Sequence, residues 1–124
     1  MNKYKKFLMG FVYAGIGLVD GFSERNMKFH GMVTVFVLFF GWVFNLSANE
    51  WMIILILIGM VWSAELANSS IEALSNLVRD TEKFSYLATK KIRDLAAGSV
   101  LIVAIISVII GLFIFMPKIL VLLI

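Results

Sequence analysis

The chain has 124 residues, 61% of them hydrophobic and only 15% charged, with a net charge of +3 at pH 7. Soluble domains carry roughly 25% charged residues, so this composition and a mean hydropathy of +0.98 exclude an ordinary soluble domain and indicate an integral membrane protein. The absence of cysteine excludes disulfides and cysteine-bound metals. Because the basic residues flank apolar runs, they indicate membrane topology rather than nucleic-acid binding.

The N-terminal segment is basic at first and then apolar. It opens with three lysines and continues with the apolar run 7–19. A signal peptide is one interpretation of this pattern, but no Ala-x-Ala-like cleavage site follows the run. We predict instead an amphipathic helix on the membrane surface over about residues 3–24, whose lysines reach the lipid headgroups.

A stripe of small residues runs along this predicted surface helix. Gly10, Ala14, Gly17 and Gly21 recur at i, i+4, i+7 and i+11 and therefore share one helix face. Such a face lets another helix approach closely. The alternative is that the glycines only loosen the segment.

Three apolar segments then predict transmembrane helices over about residues 27–48, 51–76 and 93–116. A polar turn at 45–50 separates the first two, a polar loop at 77–93 separates the second from the third, and Pro117 closes the third. The length predicts one domain, 1–124. The predicted fold is therefore an all-α integral membrane protein with an N-terminal surface helix and three transmembrane helices.

The basic residues are distributed unevenly about these segments. Ten of the eleven lysines and arginines precede the first segment or lie between the second and third, and Lys118 alone follows the third. The positive-inside rule therefore predicts that residues 1–30 and 77–94 are cytoplasmic and that the C-terminus lies outside.

The second segment carries polar residues at a depth where they are costly. Glu65, Asn68, Glu72 and Asn76 lie at i, i+3, i+7 and i+11, on one helix face. A span needs about 20 residues, so Glu65 is expected inside the membrane near its cytoplasmic interface and Glu72 at that interface. Ionisable groups at such depth usually face protein or water, and indicate a functional site.

Three polar clusters converge on the cytoplasmic interface, at residues 23–26, 65–76 and 91–94. Paired carboxylates suit Mg²⁺ together with phosphate oxygens, a third carboxylate suits a general base, and nearby cations suit polyphosphate. The clusters therefore indicate a site for a phosphorylated ligand next to lipid, although no P-loop or protein-kinase motif is present. The alternative is that these side chains form hydrogen bonds between helices. His30, the single histidine, is expected to be an interfacial residue.

Three motifs carry a resemblance to a known family. Residues 65–72 read Glu-x-x-Asn-Ser-Ser-Ile-Glu, residues 23–30 read Ser-Glu-Arg-Asn-Met-Lys-Phe-His, and residues 93–102 read Arg-Asp-Leu-Ala-Ala-Gly-Ser-Val-Leu-Ile. In this order, and over roughly residues 5–116, the chain resembles the prokaryotic diacylglycerol kinase family. The second and third motifs are similar to the Gram-positive branch, whose usual substrate is undecaprenol.

The resemblance implies a homotrimer in a bacterial plasma membrane, with active sites shared between protomers. It implies ATP and Mg²⁺ as cofactors and a membrane lipid alcohol as acceptor, either undecaprenol or, as the alternative, diacylglycerol. Glu65 would be the general base, Asn68 would orient the reacting groups, and Glu24 and Glu72 would hold Mg²⁺. The positions implied to contact nucleotide are Lys5, Glu24, Lys28, Glu72, Asn76, Arg93 and Asp94.

Two positions depart from the family pattern. Asn76 replaces a common aspartate, which keeps the size and hydrogen bonding of the side chain but removes a charge. Arg93 replaces a lysine, which exchanges a compact ammonium for a planar guanidinium. A rival of a different class is a small pore-forming protein of the holin type. Such a protein would carry a polar stripe along a whole span, which the apolar segments 51–63 and 95–116 do not provide.

Overall fold

The computed structural model describes all 124 residues as four helices with no strand. The helices are α1 (Lys3–Phe22), α2 (Arg25–Val43), α3 (Ala48–Glu82) and α4 (Tyr86–Leu123). Helices α2, α3 and α4 are each long and apolar enough to cross a membrane. The predicted all-α fold with three spans is therefore confirmed.

The turn between α2 and α3 is shorter than the predicted 45–50 turn, because α3 has already begun at Ala48. Ser47 caps α3 by accepting a hydrogen bond from the Glu50 backbone N–H at 3.2 Å, and its own backbone N–H donates to Glu50 Oε2 at 2.8 Å. This reciprocal capping box satisfies two amides that a helix start leaves unpaired. Asn45, at φ 54°, makes the reversal in the left-handed region that asparagine tolerates.

The predicted polar loop at 77–93 is wrong. Helix α3 continues to Glu82 and α4 begins at Tyr86, so only residues 83–85 connect them. Lys83 ends α3 in the left-handed conformation at φ 56°, and Ser85 caps α4 by accepting from the Ala88 backbone N–H at 3.3 Å. Hydropathy shows where a helix leaves the hydrocarbon and does not show where the helix ends, so both helices extend beyond their apolar segments into water.

The prediction that Pro117 ends the last helix is also wrong, because α4 runs through it to Leu123. A proline removes one amide donor and strains the preceding turn. In an apolar surround, ending the helix would leave several backbone groups of residues 119–124 unpaired, whereas continuing it leaves unpaired only the carbonyl one turn before Pro117.

The end of the bundle near the α2–α3 turn holds its main apolar cluster. Leu46, Ile54 and Ile114 are buried against one another. The ammonium of Lys118 lies 3.2 Å from the Glu50 carboxylate and joins α4 to α3 at the same end. Glu50 precedes the apolar segment that begins at residue 51, and its hydrogen bond from the Ser47 backbone together with Lys118 lowers its pKa.

Most of the apolar surface of the chain is uncovered. Only 12 of 124 residues are buried, and large hydrophobic side chains are exposed along all four helices. A lipid surround or other copies of the chain must therefore cover these faces. Of the predicted small-residue stripe on α1, only Gly21 is buried, against Leu66 of α3, whereas a side chain added at Gly10 or Gly17 would meet nothing within 4 Å.

Candidate functional site

The polar face of α3 contains the most deeply buried ionisable group of the chain. Glu65 is 3% exposed and Asn68 is 4% exposed. Asn68 Nδ2 donates to Glu72 Oε1 at 3.4 Å, one turn further along the helix. The structure therefore brings three of the predicted site residues together on one face.

Asn68 is only half satisfied in this arrangement. Its amide nitrogen is bonded to Glu72, but its buried Oδ1 accepts no hydrogen bond. An unpaired buried acceptor is costly and is uncommon unless a ligand supplies the donor. The orphan oxygen points to an absent donor beside Glu65 and Glu72.

Helix α2 contributes a residue that the sequence did not reveal as part of the site. His30 Nε2 lies 3.7 Å from Glu65 Oε2, and the two side chains are 16% and 4% exposed. The expectation of an interfacial histidine did not anticipate this pairing. The distance is slightly longer than a hydrogen bond, so the two side chains are close neighbours.

Trp62 fixes the position of this pair. Its Nε1–H donates to Thr34 Oγ1 at 3.0 Å, and Thr34 in turn donates to the His30 carbonyl at 2.8 Å. The Trp62 ring also meets Phe22 of α1 edge to face, with centroids 4.9 Å apart. One side chain of α3 thus anchors both α1 and α2 beside Glu65.

An apolar groove extends away from this pair between α2, α3 and α4. Its volume is about 400 Å³, and twelve of its sixteen lining residues are hydrophobic. His30, Thr34 and Trp62 line it, together with Ser107, whose buried hydroxyl has no hydrogen-bond partner. Glu65 is not among the lining residues, so His30 lies between the groove and the buried carboxylate.

The two positions that depart from the family pattern contact each other. Arg93 Nη2 donates to Asn76 Oδ1 at 2.8 Å and so joins α4 to α3. Its Nε also donates to Thr89 Oγ1 at 3.1 Å, and its guanidinium stacks 5.2 Å from the Tyr86 ring centroid. Because Asn76 is neutral, the guanidinium is held in place while its positive charge is not cancelled.

The remaining predicted site residues form no hydrogen bond or ion pair with the α3 face. Lys5, Glu24 and Lys28 are exposed on α1 and at the start of α2, and none makes a side-chain hydrogen bond or ion pair. Asp94 is paired with Lys90 instead, at 2.6 Å, and this contact raises the pKa of Lys90, which precedes the apolar part of α4. A single chain therefore assembles only part of the predicted site.

The carboxylate and amide oxygens on α3 suit a magnesium ion as ligands. The single chain holds no cluster of three or more histidine, aspartate or glutamate side chains that could bind a metal. Mg²⁺ typically takes one or two carboxylates and completes its shell with phosphate oxygens and water. Glu72, partly exposed and beside the orphan oxygen of Asn68, meets that requirement.

The fold and the site together define a multi-pass membrane protein with a buried carboxylate face next to an apolar groove. A family model described as prokaryotic diacylglycerol kinase matches residues 12–115. The chain is 45% identical over 118 residues to undecaprenol kinase of Bacillus subtilis (strain 168), covering 94% of each chain. No solved structure matches the chain.

The chain therefore belongs to the prokaryotic diacylglycerol kinase family. It is a lipid kinase of the membrane, whose reaction joins a phosphate from ATP to a lipid alcohol. The pore-forming alternative is set aside by this assignment.

Proposed function

We propose that the chain transfers the γ-phosphate of ATP to the hydroxyl of undecaprenol at the cytoplasmic membrane interface. The observation that carries this proposal is Glu65, a carboxylate 3% exposed on an apolar helix, beside an orphan acceptor and an apolar groove. The name of the 45% identical relative supports undecaprenol as the acceptor. Diacylglycerol is the second candidate, because the matching family model carries its name.

Glu65 serves as the general base in this proposal. The lipid oxygen attacks the γ-phosphorus, the bond from that phosphorus to the bridging oxygen of ATP breaks, and ADP leaves with the electron pair. The hydroxyl proton passes to the Glu65 carboxylate. Asn68 orients the reacting groups, and its unpaired Oδ1 is an acceptor available to a donor on one of them.

Glu72 and Glu24 hold the magnesium ion that accompanies ATP. When bound there, Mg²⁺ would neutralise charge on the phosphate oxygens, on which phosphoryl transfer mainly depends. Arg93, kept cationic beside neutral Asn76, is suited to a phosphate oxygen. The other positions assigned to nucleotide binding are Lys5, Lys28 and Asp94.

The protein acts as a homotrimer with shared sites in this proposal. Two observations support it: the apolar faces of all four helices are exposed, and no hydrogen bond or ion pair joins Lys5, Glu24 or Lys28 to the α3 carboxylates within one chain. A neighbouring protomer would bring the missing groups to each site. Co-expressing two inactive variants, Glu24→Gln and Glu65→Gln, tests this point, because mixed trimers of shared sites recover activity and independent sites recover none.

The N-terminus and the α3–α4 connection are cytoplasmic in this proposal, so ATP reaches the site from the cytoplasm while the lipid arrives within the membrane. The ten-to-one distribution of basic residues supports this orientation. Because the chain lacks cysteine, single cysteines placed at Lys3 and Ile124 report the side of each terminus. Labelling of position 3 by an impermeant reagent in intact cells would contradict this orientation and indicate the opposite one.

The substrate is tested by offering undecaprenol and diacylglycerol separately, in micelles with labelled ATP and the purified wild-type protein. Faster transfer to undecaprenol supports the proposal, and faster transfer to diacylglycerol would make diacylglycerol the preferred acceptor. Transfer to neither would overturn both, and the Asn76→Asp variant then shows whether the lost carboxylate is the cause.

A further inference from the structure

The proton that Glu65 accepts must leave the site before the next turnover. Glu65 is buried at 3% exposure, so bulk water has little access to it. The ring of His30, 3.7 Å away, is the one charged or titratable side chain at ion-pair distance from its carboxylate. On α3, Asn68 does not compete with His30 for the proton, because its amide does not take up a proton and bonds Glu72 instead.

The charged groups of the other helices are engaged or exposed elsewhere. On α4, Lys90 pairs with Asp94, and Arg93 bonds Asn76 at the far end of the polar face. On α1, Asp20 is exposed and makes no ion pair, and Glu24 at the start of α2 behaves in the same way. His30 therefore stands alone as the proton partner of Glu65 within this chain.

His30 also connects the two parts of the site. It lines the apolar groove, which Glu65 does not, and its main chain is held in place by the Thr34 hydroxyl bonded to Trp62. A neutral imidazole has one ring nitrogen without a proton, so a ring whose bare nitrogen is Nε2 can take a proton directly from the Glu65 carboxyl that faces it.

We propose that His30 is a positioning residue and proton acceptor for Glu65: its ring lies against the buried carboxylate and, through an Nε2 that carries no proton, receives the proton from Glu65 after phosphate transfer. The inference rests on the proposed function of Glu65 as general base. In the step itself, the Glu65 O–H bond breaks and an N–H bond forms on His30. The resulting imidazolium is stabilised by the restored carboxylate and then gives up its proton to water.

The test compares turnover and the KM for ATP in the wild type, His30→Gln and His30→Ala. We expect His30→Gln to lose about 10²-fold in kcat, the low end of the range for a group that moves a proton, with KM for ATP unchanged. We expect added imidazole to restore part of the kcat of His30→Ala, because the small base can occupy the space that the ring leaves.

Thr34→Val is the matched control. It releases the same turn of α2 but keeps the imidazole, so added imidazole should not raise its kcat. Wild-type kcat in His30→Gln, or a kcat deficit in His30→Ala that imidazole leaves untouched, would overturn the inference while the function of Glu65 stands. Absence of phosphate transfer by the wild-type protein would instead overturn the proposed function.

A second measurement needs no turnover. The chain has one histidine, so selective ¹⁵N labelling of histidine gives the ring signals of His30 alone. We expect Glu65→Gln to change the ring-nitrogen shifts, since the charge of the carboxylate beside Nε2 is gone. Identical ring signals in the wild type and Glu65→Gln would show that the pair does not interact and would overturn the inference.

Discussion

Loss of the Trp62–Thr34 hydrogen bond should loosen the α2–α3 junction by an amount that depends on which partner is removed. In Trp62→Phe, the Thr34 hydroxyl keeps its bond to the His30 carbonyl, and the new ring can still pack on Phe22. The interhelical bond is lost, and because Trp62 lines the open groove, the smaller ring gives up little packing. Such bonds contribute about 0.6 kcal/mol on average within membranes, so we expect a loss of that size in the free energy of unfolding.

Thr34→Val should cost more, because it leaves the partly buried indole N–H of Trp62 without an acceptor. An orphaned donor costs about 1–3 kcal/mol, and partial exposure favours the lower end. The double variant should cost little more than Thr34→Val alone, since both changes remove the same bond.

The assay is equilibrium unfolding in mixed micelles, with Trp42→Phe as the matched control. Trp42 is 75% exposed, so its replacement should leave the free energy of unfolding unchanged. Kinase assays on the same samples should show lower kcat in both junction variants, because His30 and Glu65 are held by this contact. Two results would contradict a stabilising Trp62–Thr34 hydrogen bond. One is an equal free energy of unfolding for Trp62→Phe and Trp42→Phe, and the other is a smaller loss of that free energy for Thr34→Val than for Trp62→Phe.

Three further predictions concern other parts of the structure. Glu72→Gln should raise the Mg²⁺ concentration needed for half-maximal activity, and an unchanged titration would argue against a ligand role. Arg93→Ala should raise the KM for ATP more than Asn76→Ala does, because the first removes the charge and the second only its anchor; equal effects in steady-state kinetics would contradict this. The ionised Glu50 stabilises the fold above its unfolded pKa, so this contribution should be lost as pH falls through its lowered folded-state pKa. Lys118→Met should weaken that acid sensitivity, measured as the pH dependence of unfolding, and an unaltered profile would exclude the ion pair as its cause.

The helices and the α3 polar face could be predicted because both follow from local pattern. Long apolar runs identified α2 and α4, a shorter run followed by a polar face identified α3, and helical spacing placed Glu65, Asn68 and Glu72 on that face. Helix ends outside the membrane were less predictable. Polar residues near Glu82 are compatible with both helix and loop, and capping by Ser85 decides the outcome.

Contacts between helices lay beyond the pattern of any one segment. His30 appeared isolated because its partner is 35 residues away, although both lie well back from the tight α2–α3 turn on antiparallel helices. Pairing residues at similar distances from that turn would have indicated the contact. The Arg93–Asn76 bond has no such signal, because it depends on how α4 rotates against α3. Treated separately, the two positions were departures from a pattern, whereas the structure makes them one interaction.

The step on which the proposed function depends is the transfer of the lipid hydroxyl proton to Glu65. It is tested most directly by Glu65→Gln, which keeps the size of the side chain and removes the base, with phosphate transfer to undecaprenol and ATP affinity measured on the same preparation. We expect turnover to fall by about 10²–10⁴-fold, the usual scale for a general base, while nucleotide affinity is retained. Turnover close to that of the wild type would contradict it.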